Sequence, residues 1–193
     1  KWRLAYLVSH PIQYQAPLFR KLAAVSGIEL LVIFRKNIRG VYFDKEFGQK
    51  ITWDIPLLGG YRPVFLSFTR SVGSVLQKEK PDAIIVCGWN ALSNWRAIWF
   101  TARKKIPFFV YGENPLNQEI PKKSILQPLR KFILRFLFRK AAGFFYIGEE
   151  NRKFYEYFGA PREKLFFTPY AVENERFVAD SPSTRLRASN VRN

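Results

Sequence analysis

Three polar segments, each directly after a short apolar run, hold most of the side chains able to do chemistry. The first is Ser9-His10-Pro11-Ile12-Gln13-Tyr14-Gln15-Ala16-Pro17. His10 has a reference pKa near neutrality, so it can carry a proton as a catalytic base or bond a sugar or phosphate; equally, it can order its own loop by bonding the backbone. Ser9, Gln13 and Tyr14 add hydroxyl and amide groups suited to an acceptor. The second segment is Gly88-Trp89-Asn90, with Ser93-Asn94-Trp95 one turn later. A helix N-terminus and side-chain amides there suit polar ligand groups while Trp89 offers a stacking face. The alternative is that Asn90 caps the helix and the tryptophans pack. The third, Tyr111-Gly112-Glu113-Asn114-Pro115-Leu116-Asn117-Gln118-Glu119, is dense in groups that bond hydroxyls. Glu113 is placed either as a base or as an anchor for an acceptor hydroxyl, with Asn114 beside it; a solvated loop carboxylate is the plainer alternative.

Several chemistries fall away. There is no G-x-G-x-x-G after the first apolar run and no G-x-x-x-x-G-K-[ST], so the backbone cradles of a dinucleotide or triphosphate are missing. Neither a G-x-S-x-G elbow nor an H-E-x-x-H pair occurs. Cys87 is the single cysteine and His10 the single histidine, which excludes an internal disulfide and a zinc cluster built from these residues. No metal site is expected, and a reducing, cytoplasmic setting fits.

The elements that must position these segments are legible from hydropathy. Apolar runs at Leu4-Val8, Ile28-Phe34, Ala83-Cys87, Pro107-Tyr111, Phe144-Ile147 and Leu165-Thr168 alternate with helical patterns. That alternation is the mark of βαβ units and a mainly parallel sheet, whose strands read as continuous apolar segments because helices cover both faces. Helices are predicted from Pro17 to Gly27, with Leu18, Leu22 and Val25 inward; over Ser71-Lys80; over Ala91-Lys105, burying parts of Leu92, Trp95, Ile98 and Trp99; over Ser124-Lys140; and over Glu149-Phe158. Residues 36–68 are interrupted by glycine and proline and read as an elaborated crossing, with Ile51-Asp54 as a candidate strand. The expected fold is a Rossmann-like α/β domain over 1–178, followed by a polar tail, 179–193, expected to be disordered.

At 193 residues the chain fits one domain, and 48% hydrophobic with 17% aromatic residues excludes a disordered chain. The net charge of +17 calls for an anionic partner. Leu4-Val8 is shorter than the ~7–15 residues of a secretory apolar core, so no signal peptide is expected. Angular arithmetic at ~100° per residue gives Ser124-Lys140 one stripe of Ile125, Leu126, Leu129, Phe132, Ile133, Phe136 and Leu137, read as the sheet-facing side. Leu134 and Phe138 fall opposite, among Lys131 and Arg135. With Lys122, Lys123, Arg130 and Arg139, and no acidic residue from 120 to 148, that outer side reads as a surface for anionic lipid. A core helix with a solvated basic face is the alternative. Nucleic acid is disfavoured because no binding motif accompanies the charge.

Residues 9–20, Ser9-His10-Pro11-Ile12-Gln13-Tyr14-Gln15-Ala16-Pro17-Leu18-Phe19-Arg20, resemble the start of a family 4-type glycosyltransferase of the GT-B fold. The resemblance continues through Pro81-Asp82-Ala83-Ile84-Ile85-Val86 and Phe144-Phe145-Tyr146-Ile147. It ends at Pro169-Tyr170-Ala171-Val172-Glu173-Asn174-Glu175-Arg176-Phe177, similar to the family's P-x-G-V-D-x-x-x-F with Ala171 for Gly and Glu173 for Asp. The sequence departs from the family at Ser9-His10, where many members have Gly-Gly, and at Glu113, near where many place a histidine. The resemblance implies the acceptor-side half of a GT-B enzyme, its nucleotide-sugar domain lying beyond this sequence. It further implies hexose transfer from a nucleotide-diphosphate sugar to a glycan or lipid-linked acceptor, with retention and without a metal. This half binds no cofactor of its own and would be inactive alone. Together with the basic helix it implies a cytoplasmic enzyme at the inner face of the membrane. A free-standing sugar-binding or membrane-surface module is the competing reading.

Overall fold

The structure, a computed structural model, describes residues 1–36, 42–44, 49–51, 55–119 and 127–170. Seven strands form one parallel sheet: β1 (Trp2–Val8), β2 (Ile28–Phe34), β5 (Arg62–Phe65), β6 (Ala83–Cys87), β7 (Phe108–Tyr111), β8 (Gly143–Tyr146) and β9 (Leu165–Phe167). Their order is β5-β2-β1-β6-β7-β8-β9. The helices are α1 (Gln15–Ala24), α2 (Val72–Glu79), α3 (Leu92–Lys104), α4 (Leu116–Glu119), α5 (Gln127–Lys140) and α6 (Glu149–Tyr157). A separate antiparallel pair, β3 (Tyr42–Asp44) and β4 (Gln49–Ile51), stands within the irregular crossing; of the candidate strand Ile51-Asp54, Ile51 ends β4 and 52–54 lie outside the described residues, as do the tail from 179 and the segment 171–177.

The chain steps from β1 to β2 to β5, crosses back through α2 to β6, and then steps outward in the other direction. Right-handed crossovers therefore place α1 on one face and α2, α3, α5 and α6 on the other. Alternate strand residues divide accordingly. Ala5, Leu7, Ile33, Ile84, Val86, Val110 and Phe144 pack beneath the four-helix face, whereas Tyr6, Val8, Val32, Phe34 and Ile85 pack with Phe19 of α1. The Rossmann-like α/β architecture with helices on both faces is thus the one the apolar runs require.

Boundaries shift for local reasons. Helix α1 begins at Gln15 rather than Pro17, which sits in the first turn, where its missing N–H costs no hydrogen bond. Its buried side is Gln15, Ala16 and Phe19; Leu18 and Val25, expected inward, are exposed. Helix α3 buries Asn94, Ala97, Ile98 and Thr101, and leaves Leu92 and Trp99 exposed. Strand β5 went unseen because Pro63 breaks its pattern; proline is tolerated there since β5 is an edge strand.

Helix α5 corrects the sequence reading most sharply. Leu134 and Phe138, expected on the lipid side, are 2% and 0% exposed, whereas Leu129, Phe132, Ile133 and Phe136 are 57, 70, 39 and 63% exposed. The helix carries two apolar stripes at i, i+3, i+4 spacing, and periodicity does not say which one meets the sheet. The aromatic cage decides it: the Phe138 ring lies 4.9 Å from Phe144, 5.6 Å from Tyr155 and 5.8 Å from Trp89, centroid to centroid. Arg130 is also turned inward, paired with buried Glu119. Lys131 is half-buried with its ammonium 4.1 Å from the centre of the Tyr157 ring. Arg135 and Arg139 are exposed; Lys122 and Lys123 lie outside the described residues.

Candidate functional site

The strand order reverses between β1 and β6, and in open parallel sheets the ligand crevice lies beyond the carboxyl ends of the strands at such a switch point. The loops after β1, β6 and β7 meet there around a cleft of about 300 Å³. Its polar wall comprises Ser9, Tyr14, Gln15, Glu113 and Asn114, and its floor includes Cys87, Gly88 and Gly112. Tyr14, Gln15 and Tyr111 also wall a neighbouring apolar cavity of about 220 Å³, bounded by Tyr6, Leu18, Phe145 and Tyr170. A polar cleft against an aromatic hollow suits a ligand with both a hydroxyl-rich and an apolar part.

Two buried asparagines hold the loops in place. The Asn94 amide donates to the carbonyls of Cys87 at 2.7 Å and Gly88 at 2.9 Å, fastening the start of α3 to the end of β6. Asn151 donates to the Asn114 carbonyl at 3.1 Å and accepts from the Ile147 N–H at 3.2 Å, tying the loops after β7 and β8 together. Asn94, read from the sequence as a ligand group, is 1% exposed and bonds the backbone instead. Its replacement by alanine strands carbonyls whose partner is gone, so Asn94→Ala should lower unfolding free energy by about 1–3 kcal/mol in a urea titration.

Gly112 keeps the floor low. A Cβ there would stand 2.9 Å from the Tyr155 hydroxyl and 3.3 Å from the Trp89 ring. Trp89 is accordingly a core residue, 5% exposed and stacked on Phe154 at 5.4 Å: of the two sequence readings the packed one holds, and the ring is not the stacking face for a ligand. Asn90 and Gln13 are exposed and stand outside the cleft lining. Ser9, Tyr14, Glu113 and Asn114 are the expected site residues that the structure brings together.

The hydroxyl of Tyr170 meets the Glu113 carboxylate, and burial followed by that hydrogen bond holds the Tyr170 phenol far above its ordinary pKa. Tyr170 also packs edge-on against Tyr14 at 5.2 Å. Burial first, then the Glu113 charge, likewise raises Tyr111 and Tyr14. All three phenols stay protonated near neutrality; Tyr170 bonds the Glu113 side chain, and its hydroxyl is also the hydrogen-bond partner of Tyr14 and Tyr111. Burial pushes the Cys87 thiol up as well, so it stays a thiol and not a nucleophilic thiolate. Among the described residues, no three histidine, cysteine or acidic side chains come together to hold a metal ion.

Gln15, Tyr111 and Tyr170 were not singled out in the sequence. Gln15 is 7% exposed, and its side-chain oxygen Oε1 has no hydrogen-bond partner among the described residues while it borders both cavities. The available signal was position: Tyr111 ends β7, and Tyr170 follows β9 by three residues.

His10 stands beside the cleft, outside its lining, with Nδ1 2.8 Å from the Ser9 hydroxyl. Burial, then the positive charges of Lys36 and Arg35, lowers its pKa below 6.5. A histidine depressed by folding binds fewer protons in the native state, so stability rises with pH across that interval. Stability from this source should be complete above ~6.5 and decline as pH falls through the lowered value. His10→Gln should flatten that stretch of a stability-against-pH curve.

No protein-family model and no curated protein matches the chain. Solved structures do. UDP-GlcNAc 2-epimerase from Neisseria meningitidis, bound to UDP-GlcNAc, superposes with TM-score 0.58 at 14% identity, covering 99% of this chain and 54% of that one. Anabaena Alr3699/HepE in complex with UDP and glucose gives 0.57 at 14%, covering 98% and 50%. UDP-N-acetylglucosamine 2-epimerase from Rickettsia bellii gives 0.54 at 17%, covering 100% and 49%. The chain spans about half the length of these proteins, and its fold is that of a GT-B-like Rossmann domain.

Proposed function

We propose that this chain is the acceptor-binding half of a GT-B glycosyltransferase that moves a hexose from a nucleotide-diphosphate sugar to a glycan or lipid-linked acceptor, with retention and without a metal. The observation that carries the reading is the switch-point cleft, where Ser9, Tyr14, Gln15, Glu113 and Asn114 converge on one space. These hydroxyl, amide and carboxylate groups are the set that recognises a polyol. The apolar hollow beside it takes a less polar portion of the acceptor. Likeness to the nucleotide-sugar enzymes supports the fold half of the argument, and the resemblance of residues 4–177 to family 4-type enzymes supports the transferase half.

In this reading the acceptor hydroxyl donates its hydrogen bond to Glu113, while Tyr14 and Asn114 fix the ring that bears it. Tyr170 donates to the same carboxylate and keeps it oriented. The unpartnered Gln15 oxygen accepts from a second acceptor hydroxyl. His10, held by Ser9, orders the rim of the cleft. The donor sugar and its nucleotide are held by a further domain, so orientation of the reacting atoms and exclusion of water require both halves.

The test is a transfer assay with radiolabelled nucleotide-diphosphate hexoses. Residues 1–193 alone are expected to transfer no sugar, and the protein joined to a donor-binding domain is expected to do so. Transfer by this chain alone, or epimerised donor with no glycosylated product from the joined protein, would contradict the proposal.

A further inference from the structure

Among the described residues no helix is long and apolar enough to cross a membrane. Helix α5 nonetheless turns a stripe of Leu129, Phe132, Ile133 and Phe136 to solvent, the i, i+3, i+4, i+7 pattern of an interfacial helix. An apolar stripe of this kind on a folded domain marks an interaction surface. Arg135, Arg139 and Lys140 are exposed along its edges, and beside it the half-buried Lys131 lies against the partly exposed Tyr157 ring. No acidic residue interrupts from 120 to 148.

We propose that this outer stripe of α5, and not the Leu134 and Phe138 side, lies in the headgroup region of an anionic bilayer. Leu129, Phe132, Ile133 and Phe136 enter the acyl boundary while Arg135, Arg139 and Lys140 meet lipid phosphates. Charge selects lipid over a second copy of this chain. Apposing two such helices would bring like charges together in a protein already at +17, whereas anionic lipid satisfies the apolar stripe and its cations at once. None of these residues lines the cleft, so lipid and acceptor binding are separable and this inference does not rest on sugar transfer.

The test is co-sedimentation of the full chain with phosphatidylcholine vesicles and with vesicles of phosphatidylcholine and phosphatidylglycerol at about two to one. The chain should bind the anionic vesicles at least ~10-fold better. The double variant Phe132→Gln/Phe136→Gln should lose at least ~10-fold in partitioning at unchanged thermal midpoint, because both side chains are exposed. Arg135→Gln and Arg139→Gln should each lose about fivefold, and Lys21→Gln/Lys78→Gln, on other helices, less than about twofold. Partitioning insensitive to the phenylalanine pair, or equal losses from the Lys21 and Lys78 pair, would overturn the proposal. So would a concentration-dependent dimer in sedimentation velocity that the phenylalanine pair abolishes while lipid binding persists.

Discussion

Phe138→Ala should destabilise the protein by about 3–5 kcal/mol, whereas Phe132→Ala, six residues away on the same helix, should change it by less than about 0.5 kcal/mol. Phe138 is wholly buried and its ring meets those of Trp89, Phe144, Tyr155 and Phe158. Truncation there removes a large apolar body and leaves a cavity walled by rigid rings that cannot collapse into it. Phe132 is exposed, so its removal strips no contacts from the core. Because domains of this size are stable by only ~5–15 kcal/mol, the first variant should melt far below the native protein. Chemical denaturation of the pair measures the difference directly, and similar costs for both would mean that α5 is turned the other way.

Glu113→Gln should be the most damaging change at the cleft. In the proposed transferase, assayed with a donor-binding domain joined, it should lower the rate of transfer by ~10²–10⁴, the range of a positioned proton acceptor, while leaving the fold intact because the side chain is exposed. Glutamine keeps the shape and loses the charge, so the acceptor hydroxyl bonds a weaker acceptor. Tyr170→Phe should cost less, about tenfold, since it removes one hydrogen bond to the carboxylate and leaves the carboxylate itself. Steady-state kinetics against acceptor concentration would separate the two: loss in kcat for Glu113→Gln, and a rise mainly in KM for Tyr170→Phe. Equal, small effects from both would remove Glu113 from the reaction.

The parallel sheet was legible because its strands are buried on both sides. Ile28–Phe34 and Ala83–Cys87 appear in the structure with the boundaries their apolar runs mark. Strand β5 was not, since an edge strand needs no unbroken apolar run and tolerates Pro63. At the cleft, Ser9, Tyr14, Glu113 and Asn114 were legible by position after a strand, a rule that depends on topology alone. Trp89 and Asn94 left a ligand reading and a packing reading open for one reason. Their residue types suit ligands and interiors equally, and only the packing of Phe154 on the indole and of the Cys87 carbonyl on the amide decides between the two. Helix α5 failed similarly, because an apolar pattern on both sides of a helix leaves its rotation to tertiary contacts.

The central claim is that the cleft between the β1, β6 and β7 loops binds a hydroxyl-rich acceptor. A titration of isotopically labelled protein with a panel of mono- and disaccharides, followed by amide chemical shifts, reads this at each residue. The account predicts saturable shifts confined to the amides of Ser9, Gly88, Gly112, Glu113 and Asn114 and their neighbours, with the midpoint moved to higher sugar concentration by Tyr170→Phe and little by Glu113→Gln. Shifts absent from these amides for every sugar, or clustered on another surface such as α5, would contradict it.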